Sequence, residues 1–107
     1  MSTLVWIHED SLSPRDRALL AHPGSPAVFV WDDAVVEAEG YSLKRLVFQH
    51  ECLLEMPVAI HRGPTLETLL HLAAEHGAGE IAVTDSVNPR FAEVVEALER
   101  KLEEIFD

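Results

Sequence analysis

Four short apolar runs recur along the chain, separated by stretches whose apolar residues return every three or four positions. Thr3-Leu4-Val5-Trp6-Ile7-His8 is apolar at almost every position, the pattern of a strand covered on both faces. Ala27-Val28-Phe29-Val30-Trp31 reads the same way and stops at Asp32-Asp33. Pro57 to His61 forms the third run and stops at Arg62-Gly63-Pro64; Glu80 to Thr84 forms the fourth and stops at Asp85-Ser86. Polar residues interrupt these runs too rarely for an antiparallel sheet with one wet face. The pattern suits a parallel sheet buried between helices.

The segments in between carry helix signals. Ser13-Pro14-Arg15-Asp16 offers an N-cap serine, proline at the first helical position and an acid at the third. A short helix through Ala18, Leu19 and Leu20 should follow. From Ser42 to about Glu55, Leu43, Leu46, Val47, Leu53 and Leu54 form one helical face, widened by Phe48 and Cys52. A third helix over Pro64 to His76 turns Leu66, Leu69, Leu70 and Ala73 inward and stops at Gly77. The last begins at Asn88-Pro89 and keeps Phe91, Val94, Val95, Leu98, Leu102 and Ile105 on one side. Charges on its other side read as a solvated face.

Strand and helix thus alternate as β-α-β-α-β-α-β-α over residues 1–107, a single domain with a parallel sheet between two helical layers. Right-handed crossovers leave few arrangements of four such strands. The order 3-2-1-4 is the natural half of a doubly wound sheet, a Rossmann-like three-layer α/β sandwich. Its first two helices should cover one face and its last two the other. Successive connections then leave in opposite directions between strands 1 and 4, and ligands of open α/β sheets bind outside the carboxyl ends of the strands at such a switch point. The candidate binding residues are therefore His8, Glu9 and Asp10 after strand 1, and Asp85, Ser86 and Asn88 after strand 4. Asp32 and Asp33 flank them after strand 2.

Composition narrows what such a site can do. With 19 acidic against 8 basic side chains and a net charge of −11, the chain lacks the cations that neutralise phosphates, so no direct nucleic-acid binding is expected. No run reaches the roughly 18 apolar residues of a membrane span, and the N-terminus has no basic secretory stretch. The single cysteine, Cys52, makes an internal disulfide impossible, and the simplest compartment is the cytoplasm. No glycine-rich phosphate loop occurs, nor any H-E-x-x-H, C-x-x-C or G-x-S-x-G. Adjacent residues at a strand end point different ways, so His8-Glu9-Asp10 reads as a solvated capping loop in preference to a metal site. His71 and Glu75, four apart, read as a surface pair. Cys52, in an apolar helix, reads as a buried inert thiol. No catalytic set assembles.

Several segments follow one another in a telling order. Leu4-Val5-Trp6-Ile7 precedes a polar loop with Asp10; Val28-Phe29-Val30-Trp31-Asp32 and the helix from Lys44 to Leu54 come next. Arg62-Gly63-Pro64 then leads into Leu66 to Leu70, and Val83-Thr84-Asp85 is followed by Pro89. This series resembles the N-terminal α/β domain of the photolyase/cryptochrome family across nearly the whole chain. In that family the flavin and the lesion-binding groove belong to a helical domain, so repair of pyrimidine dimers by this polypeptide alone is not expected. The resemblance implies an accessory module that holds an antenna chromophore (a folate, a deazaflavin or a flavin) or docks on a separate helical partner chain. The loop after strand 1 departs from the family's usual Arg-Asn-Asp-Leu-Arg: here it is His8-Glu9-Asp10-Ser11-Leu12, and only Asp10 agrees. The fifth strand usual in that domain does not follow, which leaves strand 4 an expected open edge. That edge, with Phe48 and Cys52, would mark a surface for a homodimer or a partner. The alternative reading is a small nucleotide- or metabolite-binding sensor similar in architecture to universal stress proteins, although Gly77-Ala78-Gly79 is too short and misplaced for their phosphate loop.

Overall fold

The apolar runs pair into one sheet. In the computed structural model, which describes residues 2–106, the elements are β1 (Ser2–Ile7), α1 (Arg17–Ala21), β2 (Ala27–Trp31), α2 (Asp33–Glu39), α3 (Leu43–Leu54), β3 (Ala59–Arg62), α4 (Thr65–Glu75), β4 (Ala78–Val83) and α5 (Pro89–Phe106). The strands lie in the order β3-β2-β1-β4 and every pairing is parallel. Trp6 stands opposite Val28 on one side and Val83 on the other, and Val28 opposite Ala59. The architecture is the expected α/β sandwich.

Side chains alternate across each strand, so the sheet builds two cores. Leu4, Trp6, Val28 and Val30 point to the face covered by α4 and α5, where they meet Leu69, Leu72, Ala73, Phe91 and Leu98. Val5, Ile7, Ala27 and Phe29 point to the opposite face and pack on Ala18 of α1, Leu53 of α3 and Met56. The expectation for Ile105 concerns a side chain outside those described.

Local details differ from the sequence reading at three places. α1 is capped by Asp16 instead of Ser13: its Oδ2 accepts from the Leu19 N–H at 3.2 Å and its Oδ1 from the Thr84 hydroxyl at 2.6 Å. Because Thr84 Oγ1 in turn accepts from the Ala18 N–H, a contact far along the chain decides where this short helix starts. Ser13 and Pro14 form the turn before it. A helix absent from the sequence reading, α2, begins where β2 stops. Asp32 caps it by accepting from the Ala34 N–H at 3.0 Å, and Gly40 ends it at φ +65°, a left-handed conformation that glycine adopts without strain.

The third difference concerns α3. Ser42, from which the helical stretch was read, caps it by accepting from the Arg45 N–H. Of the apolar residues expected on its inward face, however, only Leu53 is fully buried, and the other buried position is Gln49. Leu43, Val47 and Leu54 are 77%, 49% and 68% exposed, and Phe48 also faces outward. Cys52 is half-buried, not enclosed. The helix touches the sheet along one narrow line, and no other described element covers the rest of its apolar surface.

Candidate functional site

The loops after β1 and β2 and the starts of α4 and α5 converge, as the topology requires. They enclose a cavity of about 30 Å³, lined by Trp6, His8, Glu9, Asp10, Val30, Asp32, Val35, Thr65, Asn88, Arg90, Phe91 and Val94. That is room for a water or two, where ligand pockets are typically about 300–1,000 Å³. Its apolar wall is an aromatic trio. Trp6 stacks on Phe91 with centroids 5.7 Å apart, and the His8 ring lies 4.8 Å from Phe91.

Most polar groups of this site satisfy one another. His8 Nε2 lies 2.7 Å from the Thr84 carbonyl, which can only accept, so the ring hydrogen sits on Nε2. Nδ1 then accepts from the Asp10 N–H at 3.2 Å, and neither nitrogen is left for a metal or a substrate proton. Asp10 Oδ2 accepts from the Ser86 hydroxyl at 2.5 Å, whose oxygen accepts from the Asn88 N–H at 3.1 Å. Asn88 Oδ1 accepts from the Arg90 N–H, closing the start of α5. Asp32 Oδ2 takes both the N–H and the hydroxyl of Thr65 at 2.8 Å, so a carboxylate already occupies the start of α4, where an anionic ligand would sit.

Burial by itself would raise the Asp32 carboxyl, but the donors on Thr65 and Ala34 outweigh it and hold Asp32 below the usual carboxylate range. A depressed native pKa stabilises the fold above the unfolded value near about 4 and stops doing so as pH falls through the native value. Asp32→Asn is therefore expected to cost about 1 kcal/mol near pH 7, with the gap to the wild type closing as both are titrated into acid. Urea denaturation across pH reads this directly. A gap that stays constant into acid would show that charge on Asp32 is immaterial.

Arg90 closes the site. Its guanidinium pairs with Glu9 through Nη2, and its Nε lies 3.3 Å from Glu39 Oε1. The second contact is close enough for ion pairing but its angle makes no hydrogen bond, so the buried Nε–H lacks a hydrogen-bond acceptor. Tyr41 borders this cluster with Arg45 over its ring at 4.4 Å; burial, then the charge of Glu9, raises its phenol. The side of α5 expected to be solvated thus contributes, at Arg90, a cation only 28% exposed.

Of the candidate residues, His8, Glu9, Asp10, Asp32 and Asn88 line the cavity, and Ser86 joins it through Asp10. Asp33 turns outward to a bidentate pair with Arg62 on the surface, and that hydrogen bonding lowers its carboxyl. Asp85 accepts from the Ser86 N–H and borders a different groove. Thr65 and Arg90 were not singled out from the sequence. For Thr65 the signal was its place one residue into a helix; for Arg90 there was only a cation near Asn88-Pro89 in an acidic chain. Among the described residues, no group of three or more His, Cys, Asp or Glu side chains is placed to hold a metal ion, and no helix is long and apolar enough to cross a membrane.

Larger hollows lie elsewhere, and two of them are the widest among the described residues. The outer edge of β4, with α1 and α5, borders an open groove of about 780 Å³ rimmed by Arg17, His22, Asp85 and Glu99. On the far side of the sheet, Leu46, Val47, His50 and Leu54 of α3 face Trp31, Val36 and Arg62 across a groove of about 640 Å³. Its lining is mostly apolar. Comparison with protein-family models, with curated proteins and with solved structures gave no match to this chain.

Proposed function

We propose that this chain is a photolyase-related α/β accessory module that docks a protein partner on the exposed face of α3 and leaves chemistry to other chains. One contrast carries the reading. The switch point, where this architecture places ligands, is closed to about 30 Å³ with all but the Arg90 Nε–H of its buried polar groups engaged internally, whereas the α3 face presents an apolar groove of about 640 Å³. The ordered motifs of the sequence support the kinship, and the internal role of Asp32 weighs against a phosphate-binding sensor.

A neutral solvatochromic dye such as Nile red, added to dilute protein, tests the open face. Fluorescence is expected from the wild type and is expected to fall severalfold in Leu43→Gln/Val47→Gln/Leu54→Gln, with far-UV circular dichroism unchanged. Equal fluorescence in both would overturn the docking reading.

A second reading rests on the unpartnered Nε–H of Arg90. A planar chromophore carrying an acceptor would reach it if the side chain swung outward. Mixing the protein with a flavin or a folate, followed by gel filtration, separates the two readings. The docking reading expects no retained absorbance between about 350 and 500 nm; a retained band would favour the antenna reading, because binding of that strength needs a formed pocket.

A further inference from the structure

We propose that the partner on the α3 face is a second copy of this chain, packed antiparallel, α3 against α3, about a twofold axis. The inference rests on the docking reading and adds the identity of the partner.

The surface is self-complementary. At about 100° per residue, Leu43, Val47, His50 and Leu54 fall within about 60° of one another, roughly a third of a turn from the buried Gln49 and Leu53. The stripe therefore runs the full length of the helix beside the line that touches the sheet, along the open groove that Trp31 and Arg62 border. Turning one α3 end over end about the point between Phe48 and Gln49 brings Leu43 level with Leu54 of its copy, and Val47 level with His50. Apolar ends meet apolar ends.

Charge points to the same occupant. α3 has no acid in its first turn and no base in its last: Lys44 and Arg45 sit at its start, Glu51 and Glu55 at its end. Each end carries the sign that the helix dipole disfavours, a cost of about 0.3–1 kcal/mol per charge at low salt. In the antiparallel pair, Lys44 falls beside Glu51 and Glu55 of the partner, so these three misplaced charges meet their opposites, while Arg45 lies over the Tyr41 ring on the other side of the helix. Over the whole chain, a net charge of −11 opposes contact between copies. Along α3 and its C-cap the two cations balance the two acids, so a copy approaches this face against little of that repulsion.

Contact is confined to 12 helical residues and the groove beside them, short of the area of an obligate dimer. The association should be weak and reversible, with a Kd on the order of 10–1,000 µM.

Sedimentation velocity of the intact chain from about 5 to 500 µM tests this. The wild type is expected to shift reversibly from monomer towards dimer, and Val47→Glu to stay monomeric. Lys44→Glu and Glu51→Lys should each weaken the dimer about three- to tenfold by placing like charges opposite one another. Because the pairing is reciprocal, Lys44→Glu/Glu51→Lys should return to within about twofold of wild type. Far-UV circular dichroism verifies that each variant is folded, as expected for exposed positions. A wild type that stays monomeric throughout, a dimer indifferent to Val47→Glu, or a double variant weaker than either single one overturns the inference. A monomeric wild type that still binds the dye in an α3-dependent way overturns only the choice of partner, whereas loss of that dye binding overturns the docking reading itself.

Discussion

Leu69→Ala is expected to cost about 3 kcal/mol, within the range of roughly 2–5 kcal/mol for truncating a buried leucine. Leu69 is fully buried on the inner side of α4, in the core formed with Leu4, Trp6 and Val28. Alanine removes apolar contact with the centre of the sheet and leaves a cavity that strands fixed by parallel pairing on both sides relax to fill only in part. Urea denaturation should show a lower midpoint with an unchanged slope. The melting temperature should fall on the order of 15 °C. A loss below about 1 kcal/mol would mean that α4 does not anchor the core as described.

Arg90→Met should cost about 2 kcal/mol for a different reason. The substitution keeps an apolar stem but takes away the cation shared by Glu9 and Glu39. Removing one partner of a fully buried pair costs about 3–5 kcal/mol, and the 28% exposure of Arg90 lets solvent screen part of that. Changing Glu9 as well tests the cause. Glu9→Gln/Arg90→Met should be more stable than the sum of the single losses implies, by about 1 kcal/mol. Strict additivity would show that Arg90 contributes packing alone.

The strand order was legible because buried parallel strands need apolar residues on both faces, and β1 and β2 supply them at nearly every position. α2 was not: it is short, none of its residues is fully buried, and Asp32-Asp33 serves equally as a strand stop or a helix start. The start of α1 escaped for another reason. Two polar caps were available, and a hydroxyl from Thr84, far along the chain, selects Asp16 over Ser13.

The candidate site shows the same division. Topology located the convergent loops, hence His8, Glu9, Asp10, Asp32 and Asn88. It gave no warning that Arg90 folds inward, since a cation in a charged helix reads as solvated until Glu9 and Glu39 stand beside it. Nor does a periodic apolar face reveal which part is covered. Leu53 and Leu54 are neighbours in sequence, yet one is enclosed by the sheet and the other is open.

On the docking reading, α3 is the working surface and the switch point is closed structure. Amide correlation spectra of the ¹⁵N-labelled protein, recorded from about 20 µM to about 1 mM, address both parts at once, because association faster than the shift difference moves only the amides near the contact. Concentration-dependent shifts are expected along Leu43 to Leu54 and at Asp33 to Val36, while Trp6, His8, Asn88 and Arg90 stay fixed. Shifts centred on the switch point or on the outer edge of β4 would contradict that placement, and no shifts at all would overturn the choice of a second copy as the partner.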